Sequence, residues 1–524
     1  MIYLLTSLGC IGGLLFGYDT GIISGALVLI GSDFNLTDVE QSLVVSICVA
    51  GAFASAIFAG TLGDRFGRRP VVLASSIAFI LGAILMAVAK DFRLLLVGRF
   101  IVGLGVGSAS LIVPVYLSEC APTEHRGSLI ACVNVSVTLG QLIACVVAGL
   151  LSETEEGWRY MLGIAAIPAL LQLIGFLLWV PESPRYLIQK GMADRGTAAL
   201  IKLRGMSNVE SEVQDIMKAV QSEAEALERE ATLMNISTQS PLAGHLMSDN
   251  KGYLSLEEKS TATPNVWSLL RKTTTIRALI LGAMLQSGQQ VGGINTVMYF
   301  GATIFTLGGS SHITAIWLTV GLSACNWLGS CISFYLQDRL GRRSLTLISM
   351  LGVSLSLFCI AAAFFATRSA RSDAGQSSEG SISSTTWLIF SVICMYLICF
   401  GSGMGSTPWT VCAEIYPTAV RGAATSITTS VNWVSNFIMS MSFLSIVSAC
   451  TAEGAFLLYS ILSLCYALFY YFYLPETKGV PLENIARLFE DNQWGRQRHF
   501  FVPASSLLSE ETEDMLARDA RMKF

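Results

Sequence analysis

Apolar stretches of about 20 residues recur along most of this chain, each long enough to cross the hydrocarbon core of a bilayer. Twelve are legible, at roughly 2–30, 42–62, 71–89, 94–117, 127–151 and 160–180, then 276–307, 312–335, 344–366, 385–412, 423–448 and 453–474. They cannot all be core helices of a soluble protein. Only 13% of the 524 residues are charged, too few to clothe them in polar surface. The fold class expected is therefore an all-α membrane protein of twelve transmembrane helices in two six-helix bundles. The units are 1–180, a polar linker 181–275 with helical composition near 209–233, 276–474, and a charged tail 475–524. The first segment is too long for the core of a cleavable signal peptide and is expected to stay as a helix. No cytosolic leader precedes it, so a truncated N-terminus is expected.

Charge sets the orientation. Arg65, Arg68 and Arg69 lie between the second and third segments, and Arg339, Arg342 and Arg343 between the eighth and ninth. Both loops are expected in the cytosol. Loop 31–41 carries Asp33, Asp38 and Glu40 but neither Lys nor Arg, so it is expected outside, and the even number of crossings places both termini in the cytosol. Asn35-Leu36-Thr37 is then a glycosylation sequon facing outward, and Asn235-Ile236-Ser237 one facing the cytosol.

The two halves repeat. Gly67-Arg68-Arg69 matches Gly341-Arg342-Arg343, and Pro181-Glu182-Ser183 matches Pro475-Glu476-Thr477. Glu119 precedes Arg126 by seven residues, as Glu414 precedes Arg421. From Arg126 to Pro181 is 55 residues, from Arg421 to Pro475 54. Duplicated six-helix halves are the architecture of alternating-access carriers, with the substrate site between them. Asp64, Arg65, Arg68, Glu119 and Arg126, with Asp338, Arg342, Glu414 and Arg421, are expected to form a cytosolic charge lattice. It would hold the halves together in one state and break in the other. Marking topology alone is the other reading of these arginines.

Inside the apolar segments, Asp19 and Arg99 stand out, because an ionisable group in lipid is costly. A carboxylate that gains and loses a buried cation as helices move is a proton site; a permanent ion pair is the alternative. Buried amides form a third group. Asn134 and Gln141 share a face of the fifth segment; Gln286, Gln289 and Gln290 lie on the seventh, before Gly292-Gly293-Ile294-Asn295. The two glycines predict a locally broken helix lining a cavity. Asn326, Trp409, Asn432, Trp433 and Asn436 complete the set. Amides offer donors and acceptors without charge, which suits the hydroxyls of a small neutral polyol or sugar; glue between helices is the competing role. Thirteen cysteines are scattered through the apolar segments without metal-ligand spacing and read as packing residues. No metal site, cofactor site, nucleophile–base motif or nucleic-acid signature is legible, and no enzyme is expected.

Gly17-Tyr18-Asp19-Thr20-Gly21, Pro181-Glu182-Ser183-Pro184-Arg185, Gln289 through Asn295 and Pro475-Glu476-Thr477-Lys478-Gly479 resemble the sugar-porter branch of the major facilitator superfamily. Gly157-Trp158-Arg159-Tyr160-Met161-Leu162-Gly163 and the run Gly403–Thr410 bring the chain nearest to proton myo-inositol cotransporters. The resemblance implies substrate-binding roles for Asn134, Gln141, Gln289, Gln290, Asn295, Tyr299, Asn326, Trp409 and Asn436. It implies proton coupling by Asp19 and Arg99, with the proton as co-substrate. It departs at Gly292, where the family usually has Ser, at Phe300, where Tyr is usual, and at Asn134, often Gln in proton-coupled relatives. Gly401 stands where passive glucose carriers tend to have Glu. A symporter of myo-inositol or a related polyol or hexose, monomeric as a functional unit and in the plasma membrane, is the expectation; a hexose transporter and a non-transporting nutrient sensor are the rivals.

Overall fold

In a computed structural model, the described residues are 2–122, 126–205, 209–218, 220–222, 270–373, 384–416, 420–478 and 486–489. The first half comprises α1 (Ile2–Phe34), α2 (Asp38–Phe66), α3 (Arg68–Ala87), α4 (Phe92–Cys120), α5 (Arg126–Leu151), α6 (Gly157–Gly163) and α7 (Ala166–Leu178). Two short helices follow, α8 (Pro184–Gln189) and α9 (Ala193–Arg204). The second half comprises α10 (Thr273–Val291), α11 (Ile294–Tyr299), α12 (Gly301–Leu307), α13 (His312–Leu340), α14 (Arg342–Asp373), α15 (Ser384–Gly401), α16 (Thr407–Ile415) and α17 (Arg421–Tyr473).

Among the described residues, nine helical spans are long and apolar enough to cross a membrane. The last, α17, runs for 53 residues and is broken by Thr451, whose φ of 65° is left-handed, so it crosses twice. Two further crossings are interrupted: α10–α12, and α15 with α16. The total is twelve. Apolar side chains line the outside at helical spacing, as on α3 (Ile77, Leu81, Ile84) and α14 (Ile348, Leu351, Leu355, Phe358). Leu81 is 52% exposed while Asp19 is 5% exposed, the inverse of a soluble protein, because lipid solvates the one and protein must solvate the other.

Sequence chemistry fixes the ends. Thr37 caps α2 with a reciprocal Thr37–Glu40 box, and the loop left between α1 and α2 is only 35–37, shorter than the 31–41 expected. Asp91 caps α4 by accepting from Leu94 N at 2.7 Å. Gly292 and Gly293, the latter at φ 82°, break the seventh crossing as their sequence predicts, and Tyr396 donates its hydroxyl to the freed Gly292 carbonyl at 2.6 Å. A second break at Phe300 and one at 402–406 were not anticipated. The helix expected near 209–233 is present over 210–218 and 220–222; 223–233 lie outside the described residues, as does Asn235.

Within the first half, α1 packs on α5 and α2 on α4. The α1–α5 approach is backbone to backbone: a Cβ on Gly17 would sit 1.8 Å from Val137 O, and one on Gly140 2.3 Å from Leu14 O. Across the halves, α2 packs on α17 and α5 on α13. The α5–α13 seam carries Cys145 Sγ and Ser323 Oγ 3.0 Å apart, and the α2–α17 seam Ser46 Oγ and Ser440 Oγ at 3.3 Å. Where α12 begins, Ser24 Oγ of the first half accepts from the backbone N–H of Ala302 in the second, at 3.0 Å.

Candidate functional site

The broken helices and tight seams bring the ionisable pair and the amides together. Arg99, 1% exposed, donates from a terminal nitrogen to Asp19 Oδ1 at 2.5 Å and from Nε to the Val44 carbonyl at 3.1 Å. Cys48 donates its thiol to the second oxygen, Asp19 Oδ2, at 3.2 Å. Arg99 thus joins α1 to α2 and α4, and every oxygen of the carboxylate is engaged.

The next residue turns the other way. Thr20 Oγ1 accepts from Gln141 Nε2 at 3.0 Å, and Gln141 Oε1 accepts from Asn326 Nδ2 at 2.8 Å, across the boundary between halves. In the second half a lattice centres on Asn432. Its Nδ2 donates to Gln286 Oε1 at 2.8 Å and Gln289 Oε1 at 2.9 Å, while its Oδ1 accepts from Gln290 Nε2 at 3.0 Å. Gln290 Oε1 accepts from Asn295 Nδ2 at 2.8 Å. Gln289 Nε2 donates to the Met404 and Gly405 carbonyls, freed by the gap between α15 and α16, at 2.8 and 3.2 Å. Asn436 Nδ2 donates to the Tyr299 hydroxyl at 3.3 Å.

Two predicted residues stand apart: Asn134 and Trp409 are partly buried and make no side-chain hydrogen bond among the described residues. Asn436 Oδ1 and Trp433 Nε1 are buried without a hydrogen-bond partner. A buried orphan donor or acceptor costs about 1–3 kcal/mol, so both are points at which a hydroxyl would be welcome. Trp433, 2% exposed, faces Phe16 of the first half with ring centroids 5.7 Å apart. Asn432 was visible among the amides without a site role, though it lies four residues before Asn436 and hence on the same face. Thr20 and Cys48 were not assigned. Thr20 was signalled by its place in the Gly17–Gly21 motif; nothing in the sequence distinguished Cys48.

At the end carrying the Gly67 and Gly341 turns, the expected charges pair as follows. Arg68 contacts Glu119 at 2.9 Å and Asp64 at 2.9 Å. Arg342 contacts Glu414 at 3.2 Å, and Thr477 donates to the same carboxylate at 2.6 Å. Arg421 donates to the Tyr416 carbonyl at 3.3 Å, and Arg65, exposed, lies over the Phe66 ring. Arg68–Glu119 and Arg342–Glu414 each close within one half, not between halves as the lattice reading supposed. The reason is geometric: each arginine opens a helix that packs beside its own half's glutamate. The side chains of Arg126 and Asp338 lie outside the described residues.

Glu182 and Glu476, used above only as marks of the repeat, grip the turns. Glu182 Oε1 accepts from Arg68 N at 3.0 Å and Arg69 N at 3.2 Å; Glu476 accepts from Arg342 N at 2.9 Å and Arg343 N at 3.1 Å. Gly67 (φ 106°) and Gly341 (φ 85°) are required there, since a Cβ would lie 2.3 Å from Glu182 Oε2 and 2.6 Å from Glu476 Oε2. Burial pushes the Glu182 carboxyl up from its ordinary value, opposed by the amides of Ser183, Arg69 and Arg68.

A family model described as "Sugar (and other) transporter" matches residues 5–489. The chain belongs to this sugar transporter family. It is therefore a transporter of the major facilitator fold and not an enzyme. It is 34% identical over 553 residues to the probable inositol transporter 2 of Arabidopsis thaliana, covering 92% of this chain and 90% of that one. It is 32% identical to the proton myo-inositol cotransporter of Homo sapiens, covering 94% and 82%. Among solved structures, the proton:xylose symporter XylE bound to 6-bromo-6-deoxy-D-glucose superposes with a TM-score of 0.71 at 25% identity, covering 93% of this chain and 99% of that one.

Proposed function

We propose that this sugar transporter carries myo-inositol, or a related polyol or hexose, in symport with a proton by alternating access. The observation that carries the reading is that consecutive residues face the two tasks. Asp19 binds the buried arginine, and Thr20 binds the amide pair Gln141–Asn326 that spans the halves. A change at the carboxylate is thereby one peptide bond from the polar cluster. When Asp19 takes a proton its charge-assisted bond to Arg99 is lost, and helix α1 is free to shift against α4. Neutral amides with an indole at hand suit a hydroxylated ring. The relatives' names, inositol transporter and proton myo-inositol cotransporter, support the substrate class and the co-substrate. The divisions 1–180, 181–275, 276–474 and 475–524, a single chain as functional unit, cytosolic termini and residence in the plasma membrane belong to the same proposal.

The test is uptake in proteoliposomes of labelled myo-inositol and of glucose, with and without an inward proton gradient, for the native chain and Asp19→Asn. The native chain accumulates myo-inositol only with the gradient. Asp19→Asn keeps exchange but loses accumulation and substrate-dependent proton uptake. Proton uptake that persists in the variant overturns the proton reading; preference for glucose overturns the substrate reading.

A further inference from the structure

We propose that Cys48 is a positioning residue for the proton step, holding Asp19 in its ionised form until the proton concentration is high enough; this rests on the reading of Asp19 as the proton carrier. The carboxylate is bracketed from two helices. Arg99 of α4 takes Oδ1 at 2.5 Å, and the Cys48 thiol of α2 donates to Oδ2 at 3.2 Å. The two tyrosine hydroxyls near Asp19 make their hydrogen bonds to other groups. Tyr18 donates its hydroxyl to the Met161 carbonyl at 2.8 Å, and the Tyr299 hydroxyl of α11 accepts from Asn436 at 3.3 Å. Among the described residues, the thiol is the neutral side chain found donating to this carboxylate.

Its position is set by backbone packing. A Cβ on Gly103 would fall 2.1 Å from the Cys48 carbonyl, and one on Gly51 2.4 Å from the Phe100 carbonyl, so α2 and α4 touch on either side of the thiol. Cys48 is buried, at 5% exposure. A hydrogen bond donated to a carboxylate favours the charged form and opposes protonation. The thiol therefore does for one oxygen, weakly, what the guanidinium does for the other. Cys48 is the cysteine placed on the carboxylate.

Removing the donor should let Asp19 take its proton at a lower proton concentration. In proteoliposomes, the external pH of half-maximal myo-inositol uptake is expected to move to the alkaline side in Cys48→Ala, by roughly 3- to 10-fold in proton concentration, the worth of one hydrogen bond. Cys48→Ser keeps a donor in nearly the same volume and is expected to hold the profile at, or on the acid side of, the native one. A packing role alone would lower the rate in both variants and leave the profile in place. An unmoved profile in Cys48→Ala, or the same alkaline displacement in Cys48→Ser, overturns the inference. Asp19→Asn separates the two levels: if it retains substrate-dependent proton uptake, the proton reading itself fails. If it loses that uptake while Cys48→Ala leaves the profile unmoved, only the role of Cys48 falls.

Discussion

Gln290 donates to Asn432 and accepts from Asn295, so its amide is already spent on two other amides. Truncating it to alanine strands Asn432 Oδ1 in a buried position and removes the acceptor of the half-buried Asn295, at a cost of about 1–3 kcal/mol when a buried polar partner is left unsatisfied. Gln290→Ala is expected to weaken apparent affinity for the polyol by about 5- to 140-fold at undiminished surface expression. A transport assay paired with surface labelling reads this, and unchanged affinity would remove Gln290 from the site. At this scale the sequence was eloquent where a residue's chemistry clashed with its surroundings. Asp19 and Arg99 are charges in apolar runs, and the amides are polar groups in lipid-length helices, so each announced itself. Cys48 did not, because a thiol among apolar residues has the profile of a packing residue and only its neighbours in space give it a role. Glu182 and Glu476 were read as punctuation for a related reason: their partners are backbone N–H groups, which leave no mark in a sequence.

At the scale of elements, hydropathy located all twelve crossings and blurred their interruptions. The break at Gly292-Gly293 was legible because glycine reaches a positive φ without strain. The break at Phe300 was not, since phenylalanine carries no turn signal and the chain there adopts φ −109°, ψ 17°, unremarkable for any residue. The run Gly401–Ser406 held three glycines, but the apolar residues around it masked the gap that frees the Met404 and Gly405 carbonyls. The Phe300 break has its own consequence. It exposes an N–H at the start of α12 that its own helix cannot satisfy, and Ser24 of the first half supplies the acceptor. Such caps are worth about 0.5–2 kcal/mol. Ser24→Ala is therefore expected to disfavour the arrangement in which α1 and α12 touch, by about 2- to 30-fold. Faster hydrogen exchange in the first turn of α12, with the rest of the second half unaltered, would report it; unchanged exchange would mean the cap contributes nothing.

At the scale of the whole molecule, orientation is the part of the proposal most directly open to test. On the proposed orientation, the arginines about Gly67 and Gly341 face the cytosol and the 35–37 loop faces outside. The chain produced in a eukaryotic cell is expected to lose mass on glycosidase treatment, and Asn35→Gln to abolish the change. A glycan on Asn235 would invert the orientation. The internal repeat was read from spacing alone, and the structure adds that the matched glutamates do matched work. What spacing could not convey is the partition of labour within each turn. The backbone of Arg68 and Arg69 is gripped by Glu182, and that of Arg342 and Arg343 by Glu476, while the Arg68 and Arg342 guanidinium groups reach Glu119 and Glu414. Backbone and side chain of each turn are thus held by separate carboxylates. Each turn is therefore fastened twice inside its own half, and a change that frees a guanidinium still leaves the shape of the turn to the second carboxylate.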